Sequence, residues 1–219
     1  MTVRALWGLV LLVMLAANGC CLCGPLGSSR EPNVFVLRGV AGYWPGVEAF
    51  EEDLCDAGVC PTTAIPEVYP HLADRIAEER ESGRLRGPLV LVGYSLGANA
   101  AIKIAQRLDE RGIDVDKLVL LETTLNDEIP ANVHSCFNVY KSQPSTDWIP
   151  VFRGIPLETE SARTRMYNLD LRCSRQSCWK KEHHLTICAN RDIHALLVEE
   201  VLDGLNGCGG RPVCPSRCR

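Results

Sequence analysis

Ser95 stands between two glycines in the run Gly93-Tyr94-Ser95-Leu96-Gly97. The apolar run Pro88-Leu89-Val90-Leu91-Val92 precedes it, and a helical pattern from Ala98 to Arg111 follows. Strand, tight turn, helix: this order places a hydroxyl at the tip of a turn and at the start of a helix whose first amides are open to an anion. The glycines fit a turn in which strand and helix come too close for side chains. A serine hydroxyl attacks a carbonyl only if a base takes its proton, and that base needs an acid to orient it. The chain has five histidines. His183 and His184 sit in a loop just before the last helical pattern and are the base candidates. His194 lies among apolar neighbours and reads as packing, His71 falls on a charged helix, and His134 begins a strand. Three acids are in play: Asp147 after a predicted strand, Glu122 at the end of another, and Asp170 inside a third.

The elements that must position these groups follow from periodicity. Asn33 to Leu37 reads as a first strand, followed by the loop Arg38 to Gly46. Val47 to Ala57 is helical, with Val47, Phe50 and Leu54 on one face, and Gly58 closes it. Thr62 to Ile65 is a short strand, and Glu67 to Glu81 a helix with a charged outer face. After the serine, Ala98, Ala101, Ile102, Ala105 and Leu108 make one apolar stripe, and Gly112 is a stop signal. Lys117 to Leu121, His134 to Tyr140 and Met166 to Leu171 are further strands, and Ile193 to Leu205 is a closing helix. Strands alternating with helices predict an α/β fold, a doubly wound, mostly parallel sheet of about five to seven strands with helices on both faces.

Over residues 33–121 the chain resembles the α/β-hydrolase superfamily: strand, loop, Gly-x-Ser-x-Gly turn and helix come in that family's order. The resemblance implies a serine hydrolase with the chain order serine, acid, histidine. It points to Ser95 as nucleophile and Asp147 as acid, with Glu122 and Asp170 as alternatives. The stretch His184-Leu185-Thr186-Ile187 before a helix is similar to the histidine segment of small exported members, which favours His184 over His183. The oxyanion would be met by the amide of Leu96 and by one from the loop after the first strand, Val40 or Ala41. That loop opens Arg38-Gly39 where many members have His-Gly. Arg38 would either bind an anionic group of the substrate or fix the loop. Tyr43-Trp44-Pro45-Gly46 is either an aromatic wall or a packed corner. Only Thr123 to Val133 and Gln143 to Ala162 are long enough to cover a cleft, and an open cleft suits esters of modest size or polymer ends more than an interfacially activated triglyceride lipase.

With 219 residues, the chain has one domain's worth of length. A net charge of −4 with mixed charges and no basic stripe argues against nucleic-acid partners. The sequence divides into a signal peptide (1–19), a tether (20–32), the hydrolase-like domain (33–205) and a cysteine-rich tail (206–219). Arg4 followed by the apolar run Ala5 to Ala17 fits a signal core and is short for a membrane span. Leu15-Ala16-Ala17-Asn18-Gly19-Cys20 resembles a bacterial lipobox, which implies cleavage before Cys20, lipid on that cysteine and an exported, membrane-anchored protein; plain secretion is the alternative. Twelve cysteines suit an oxidising compartment. Beyond Cys23 there are nine, an odd number with no Cys-x-x-Cys pair among them, which favours disulfides over zinc. No cofactor, metal or phosphate-loop motif is expected. The leading expectation is an esterase- or lipase-like hydrolase of small-molecule or lipid esters and thioesters. Its competitors are a catalytically silent, lipid- or partner-binding lipoprotein and, more remotely, a redox or metal protein built on the cysteines.

Overall fold

In the computed structural model, residues 33–206 are described, apart from 143–146, 150–151, 174–178 and 180. The signal segment, Cys20, the tether and the tail beyond Asn206 lie outside the described residues. Six parallel strands form one sheet: β1 (Asn33–Leu37), β2 (Thr62–Ala64), β3 (Leu89–Tyr94), β4 (Val115–Leu121), β5 (Val133–Tyr140) and β6 (Arg165–Asp170). Their spatial order is β2-β1-β3-β4-β5-β6. Among the described residues three α-helices lie between strands, α1 (Val47–Asp56), α2 (Tyr69–Glu81) and α3 (Leu96–Asp109), and a fourth, α4 (Arg191–Asn206), follows β6.

The inner strands β1, β3 and β4 are apolar on both faces because both are covered, while the edge strands β2 and β6 are more polar and more exposed. Val34, Val36, Val90, Val92, Val119 and Leu121 pack on one side with α1 and α4. Phe35, Leu37, Leu89, Leu91, Leu118 and Leu120 pack on the other with α2 and α3. Alternation along each strand sends most of the strand valines to the first face and most of the leucines to the second. Among the described residues no helix is long and apolar enough to cross a membrane.

The predicted elements stand, with boundary shifts of physical origin. Helix α3 begins at Leu96 rather than Ala98, because Ser95 itself is the residue at which the chain turns into the helix. Helix α4 begins at Arg191 rather than Ile193. There the Asn190 side-chain oxygen accepts the amides of Asp192 and Ile193, capping the first turn. Before α2, residues Pro66–Val68 form a short 3-10 turn instead of the helix start expected at Glu67.

The strand order fixes where a site can form. The chain leaves β1 toward β2 at one edge, then returns past β1 to build β3 through β6 on the other side. Connections therefore diverge between β1 and β3, which opens a crevice at the carboxyl ends of those two strands. The loop after Leu37 and the turn after Tyr94 flank it.

Candidate active site

Ser95 occupies that crevice. Its backbone has φ 56 and ψ −122, a sparsely populated conformation for a residue with a side chain. The Ser95 amide still bonds the Leu121 carbonyl at 2.9 Å, so the turn is anchored to the neighbouring strand. The glycines on either side are required by contact. A Cβ on Gly97 would stand 2.1 Å from the Leu37 carbonyl oxygen and 2.2 Å from that of Arg38. One on Gly93 would stand 2.4 Å from the Gly97 oxygen. The helix start is thus pressed against the end of β1.

Ser95 Oγ lies 2.9 Å from His184 Nε2. The other ring nitrogen, Nδ1, lies 3.0 Å from Glu122 Oε2. All three side chains are withdrawn from solvent: Ser95 is 5 %, His184 6 % and Glu122 1 % exposed. Hydroxyl, imidazole and carboxylate form one hydrogen-bonded chain with the geometry of a nucleophile, base and orienting acid.

The sequence placed Asp147 in the acid's position; the imidazole Nδ1 instead meets Glu122. The reason is strand geometry. Glu122 follows β4, the direct neighbour of β3, while Asp147 follows β5, one strand further from the serine. Glu122 also has a left-handed backbone, φ 57, which turns it out of the strand. Its second oxygen, Oε1, accepts the Lys141 amide at 2.6 Å. Gly154 backs it so closely that a Cβ there would stand 2.6 Å from Oε1. Asp170 is used locally: it accepts from the Ser142 hydroxyl and the Arg172 amide.

His184 is the histidine brought to Ser95, and the loop that carries it is gripped from several sides. Tyr94, next to the serine, donates its hydroxyl to the His184 carbonyl at 2.7 Å. Burial pushes that phenol far above its usual pKa, so it is a neutral donor. The hydroxyl of Tyr43 reaches the Leu185 carbonyl at 3.1 Å, and the Trp44 indole N–H reaches that of Cys188 at 2.9 Å. Of the two sequence readings, Trp44 is the packed corner: it is buried and stacks on Phe50. Lys141 donates its ammonium to the carbonyls of Trp179 and Glu182. His183 is exposed and faces its own turn, where Nδ1 accepts the Leu185 amide. His194 is fully buried against the Cys188 carbonyl, and His134 is exposed beside Asp114 and Asp116.

Leu96 opens α3, so its amide has no acceptor within the helix. In the loop after β1, the amides of Arg38, Gly39 and Gly42 are engaged by the carbonyls of Ala64, Tyr43 and Gly39. The candidates for a second oxyanion donor therefore narrow to Val40 and Ala41. Arg38 points to Glu48 and Glu51, at 3.5 and 3.7 Å, which makes it a loop-fixing residue here. Among the described residues no group of three or more His, Cys, Asp or Glu side chains is arranged to hold a metal ion.

Sequence reasoning missed Lys141, Tyr94 and Phe152 as parts of the site. The Phe152 ring stands edge-on to the His184 ring, centroids 6.1 Å apart. Nothing in the local sequence marks these roles, because all are contacts across long separations. Tyr94 had one available signal, its place inside the Gly-x-Ser-x-Gly motif.

The parallel sheet, the switch-point crevice and the strained serine turn give the chain the architecture of an α/β-hydrolase-like fold. A Thioesterase domain family model matches residues 61–129, a stretch that contains both Ser95 and Glu122. Over 67 residues the chain is 33% identical to a mycosubtilin synthase polypeptide of Bacillus subtilis; the match covers 31% of this chain and 3% of that protein. Among solved structures, one similar chain is a Xanthomonas campestris protein whose own description assigns it to hydrolases of the alpha/beta superfamily. It is 17% identical, covers 80% of this chain and 100% of its own, and has a TM-score of 0.44. Another is the RedJ thioesterase from the prodiginine biosynthetic pathway in Streptomyces coelicolor, 12% identical over 89% of this chain and 95% of its own, TM-score 0.46. Both overlaps are loose, and the fold assignment rests on this chain's own topology and serine turn.

Proposed function

We propose that this protein is a serine hydrolase of carboxylic esters and thioesters that works through an acyl-enzyme on Ser95. One observation carries the reading: the unbroken chain from Ser95 Oγ through His184 to Glu122, at 2.9 and 3.0 Å, in a crevice at the sheet's switch point. The partial match to a Thioesterase domain supports it over the segment that holds nucleophile and acid.

In the first half-reaction His184 Nε2 takes the hydroxyl proton as Oγ bonds the acyl carbon. Glu122 keeps the Nδ1 proton in place and stabilises the imidazolium. The carbonyl oxygen becomes an oxyanion, met by the Leu96 amide and by that of Val40 or Ala41. The tetrahedral species collapses as Nε2–H protonates the departing alcohol or thiol. Water then repeats the sequence: it loses a proton to Nε2, adds to the acyl carbon and releases the acid and Ser95. The catalytically silent alternative drew on an uncertain acid and on the altered loop at Arg38; the hydrolase reading is supported over it by Glu122 beside His184 and by Arg38 turned to Glu48 and Glu51.

The test is labelling of the full chain, produced in an oxidising compartment, with a fluorophosphonate probe. Wild type should label and Ser95→Ala should not. A folded wild-type protein that fails to label would remove the hydrolase reading and restore the silent binding module. Export and lipidation at Cys20 belong to the same proposal, supported by the Ala5–Ala17 apolar run before it. Incorporation of a labelled fatty acid that disappears in Cys20→Ser is the outcome expected.

A further inference from the structure

We infer that the substrate is an ester or thioester of an apolar acyl group, and that the group lies on an apolar crown built by the loops around Ser95. This rests on the serine-hydrolase reading and specifies which acyl groups that hydrolase takes.

The described residues include nine large hydrophobic side chains that are exposed. Eight sit on connections that leave the carboxyl ends of strands: two after β1, two after β2, one after β4, two after β5 and one after β6. In an all-parallel sheet these ends share one edge, the edge that holds Ser95. The ninth, Tyr167, lies within β6 and stacks on Phe137. Scattered exposed apolar residues need no explanation, but confinement to the reactive edge does.

Contacts tie the crown to the reacting groups. Phe152, 41 % exposed, presents its ring edge-on to His184, 6.1 Å between centroids. Tyr43 bonds the Leu185 carbonyl, and its ring stands 6.5 Å from that of Tyr94. Leu125 is fixed through Asn99, whose side chain bonds the Leu125 carbonyl and the Thr124 amide and hydroxyl. Val40 lies on the loop that supplies a candidate oxyanion amide. Arg38, which opens that loop, is turned to Glu48 and Glu51. A carbonyl seated at Ser95 Oγ would therefore carry its chain across Phe152, Leu125 or Val40, over apolar surface. A protein partner seated on the same crown would cover the nucleophile, which is why the acyl chain is its occupant.

The experiment uses the full chain and p-nitrophenyl esters from acetate to decanoate, with the chain-length slope read below each ester's micelle-forming concentration and turnover also followed above it. In wild type kcat/KM should rise roughly two- to fourfold per methylene over the first several carbons, as chain surface is buried. Phe152→Ser, Leu125→Ser and Val40→Ser should each flatten that slope, and Tyr167→Ser, on the far part of β6, should not. Labelling of Ser95 by a short-chain fluorophosphonate is read in parallel. A flat or falling wild-type slope with intact labelling overturns the acyl crown and leaves the hydrolase. A rising slope untouched by all three crown variants also overturns it. Turnover that appears only above micelle-forming concentrations assigns the crown to a lipid surface and overturns it too. Absence of both labelling and turnover removes the hydrolase reading beneath it.

Discussion

Replacing Glu122 by glutamine should nearly abolish turnover while leaving the fold intact, for a reason specific to this site. The Oε1 position of Glu122 accepts the Lys141 amide at 2.6 Å, and that N–H is fixed by the backbone. In Glu122→Gln the amide oxygen must keep this place, because an NH2 group there would face another donor. The new NH2 then takes the Oε2 position, 3.0 Å from His184 Nδ1, and donates to it. A proton can no longer sit on Nδ1, so it moves to Nε2, the atom that must accept from Ser95. The imidazole is held in the wrong tautomer. Comparable carboxylate-to-amide changes cost about 10⁴-fold in kcat, which is roughly 5.5 kcal/mol of barrier. The volume is unchanged, so the melting temperature should move little. The assay is kcat and KM on a short acyl ester, with thermal melting beside it and Asp147→Asn as the comparison. A loss under tenfold in Glu122→Gln, with a large loss in Asp147→Asn, would refute the argument and return the acid's role to Asp147.

Three other perturbations test separate parts of the structure. Lys141→Met removes the ammonium that holds the Trp179 and Glu182 carbonyls but keeps the amide on Glu122; loosening the His184 loop should lower kcat roughly 10- to 100-fold with KM little changed, and Lys141→Arg should recover part of it. Gly97→Ala drives a methyl into the Leu37 and Arg38 carbonyls, 2.1 and 2.2 Å from its ideal position; a cost of about 3 kcal/mol, roughly 10 °C in melting temperature, should come with an absence of probe labelling. His194 is buried, and desolvation holds its pKa below the ordinary 6.5, against the Cys188 carbonyl and Asp53, which raise it, and with Arg191, which lowers it further. A depressed histidine pKa means that below about pH 6.5 the unfolded chain binds a proton the folded one refuses. Stability should therefore fall as pH drops through 6.5 and level off once the folded pKa is passed; urea melts from pH 7.5 downward should show this, and His194→Gln should flatten the decline.

The parts of this protein that were legible in its sequence are those governed by short-range rules. The serine turn was visible because Gly93 and Gly97 are sterically obligatory within five residues of each other, and the inner strands because both sheet faces demand apolar runs there. The histidine that stands beside Ser95 was legible through its place before a helix. The carboxylate that stands beside His184 was not. Sequence order allows any carboxylate between Ser95 and His184, so the choice depends on which strand end lies beside the serine in space. Glu122 has that position because β4 pairs with β3, and the Ser95 amide bonds Leu121, the residue immediately before Glu122. A glutamate directly after the apolar run Leu118 to Leu121 was the clue available in the sequence.

That pairing also explains why a glutamate fits here. Glu122 and Ser95 leave adjacent strands, and His184 arrives from beyond β6, across the crevice. A carboxylate beginning at the end of β4 must reach outward to Nδ1 and simultaneously remain accessible to the Lys141 amide at the end of β5. Glu122 spans both with its two oxygens, at 3.0 and 2.6 Å. The left-handed turn at Glu122 and the missing side chain at Gly154 make room for that reach. Shortening the side chain in Glu122→Asp should therefore leave one of the two hydrogen bonds unmade. Lys141 cannot follow, since its amide is fixed at the end of β5. The shorter carboxylate then misses either His184 itself or the amide that keeps it oriented toward His184. Either way kcat should fall while KM holds, and a Glu122→Asp enzyme with wild-type kcat would mean that the imidazole takes its orientation from Tyr94 and the loop alone.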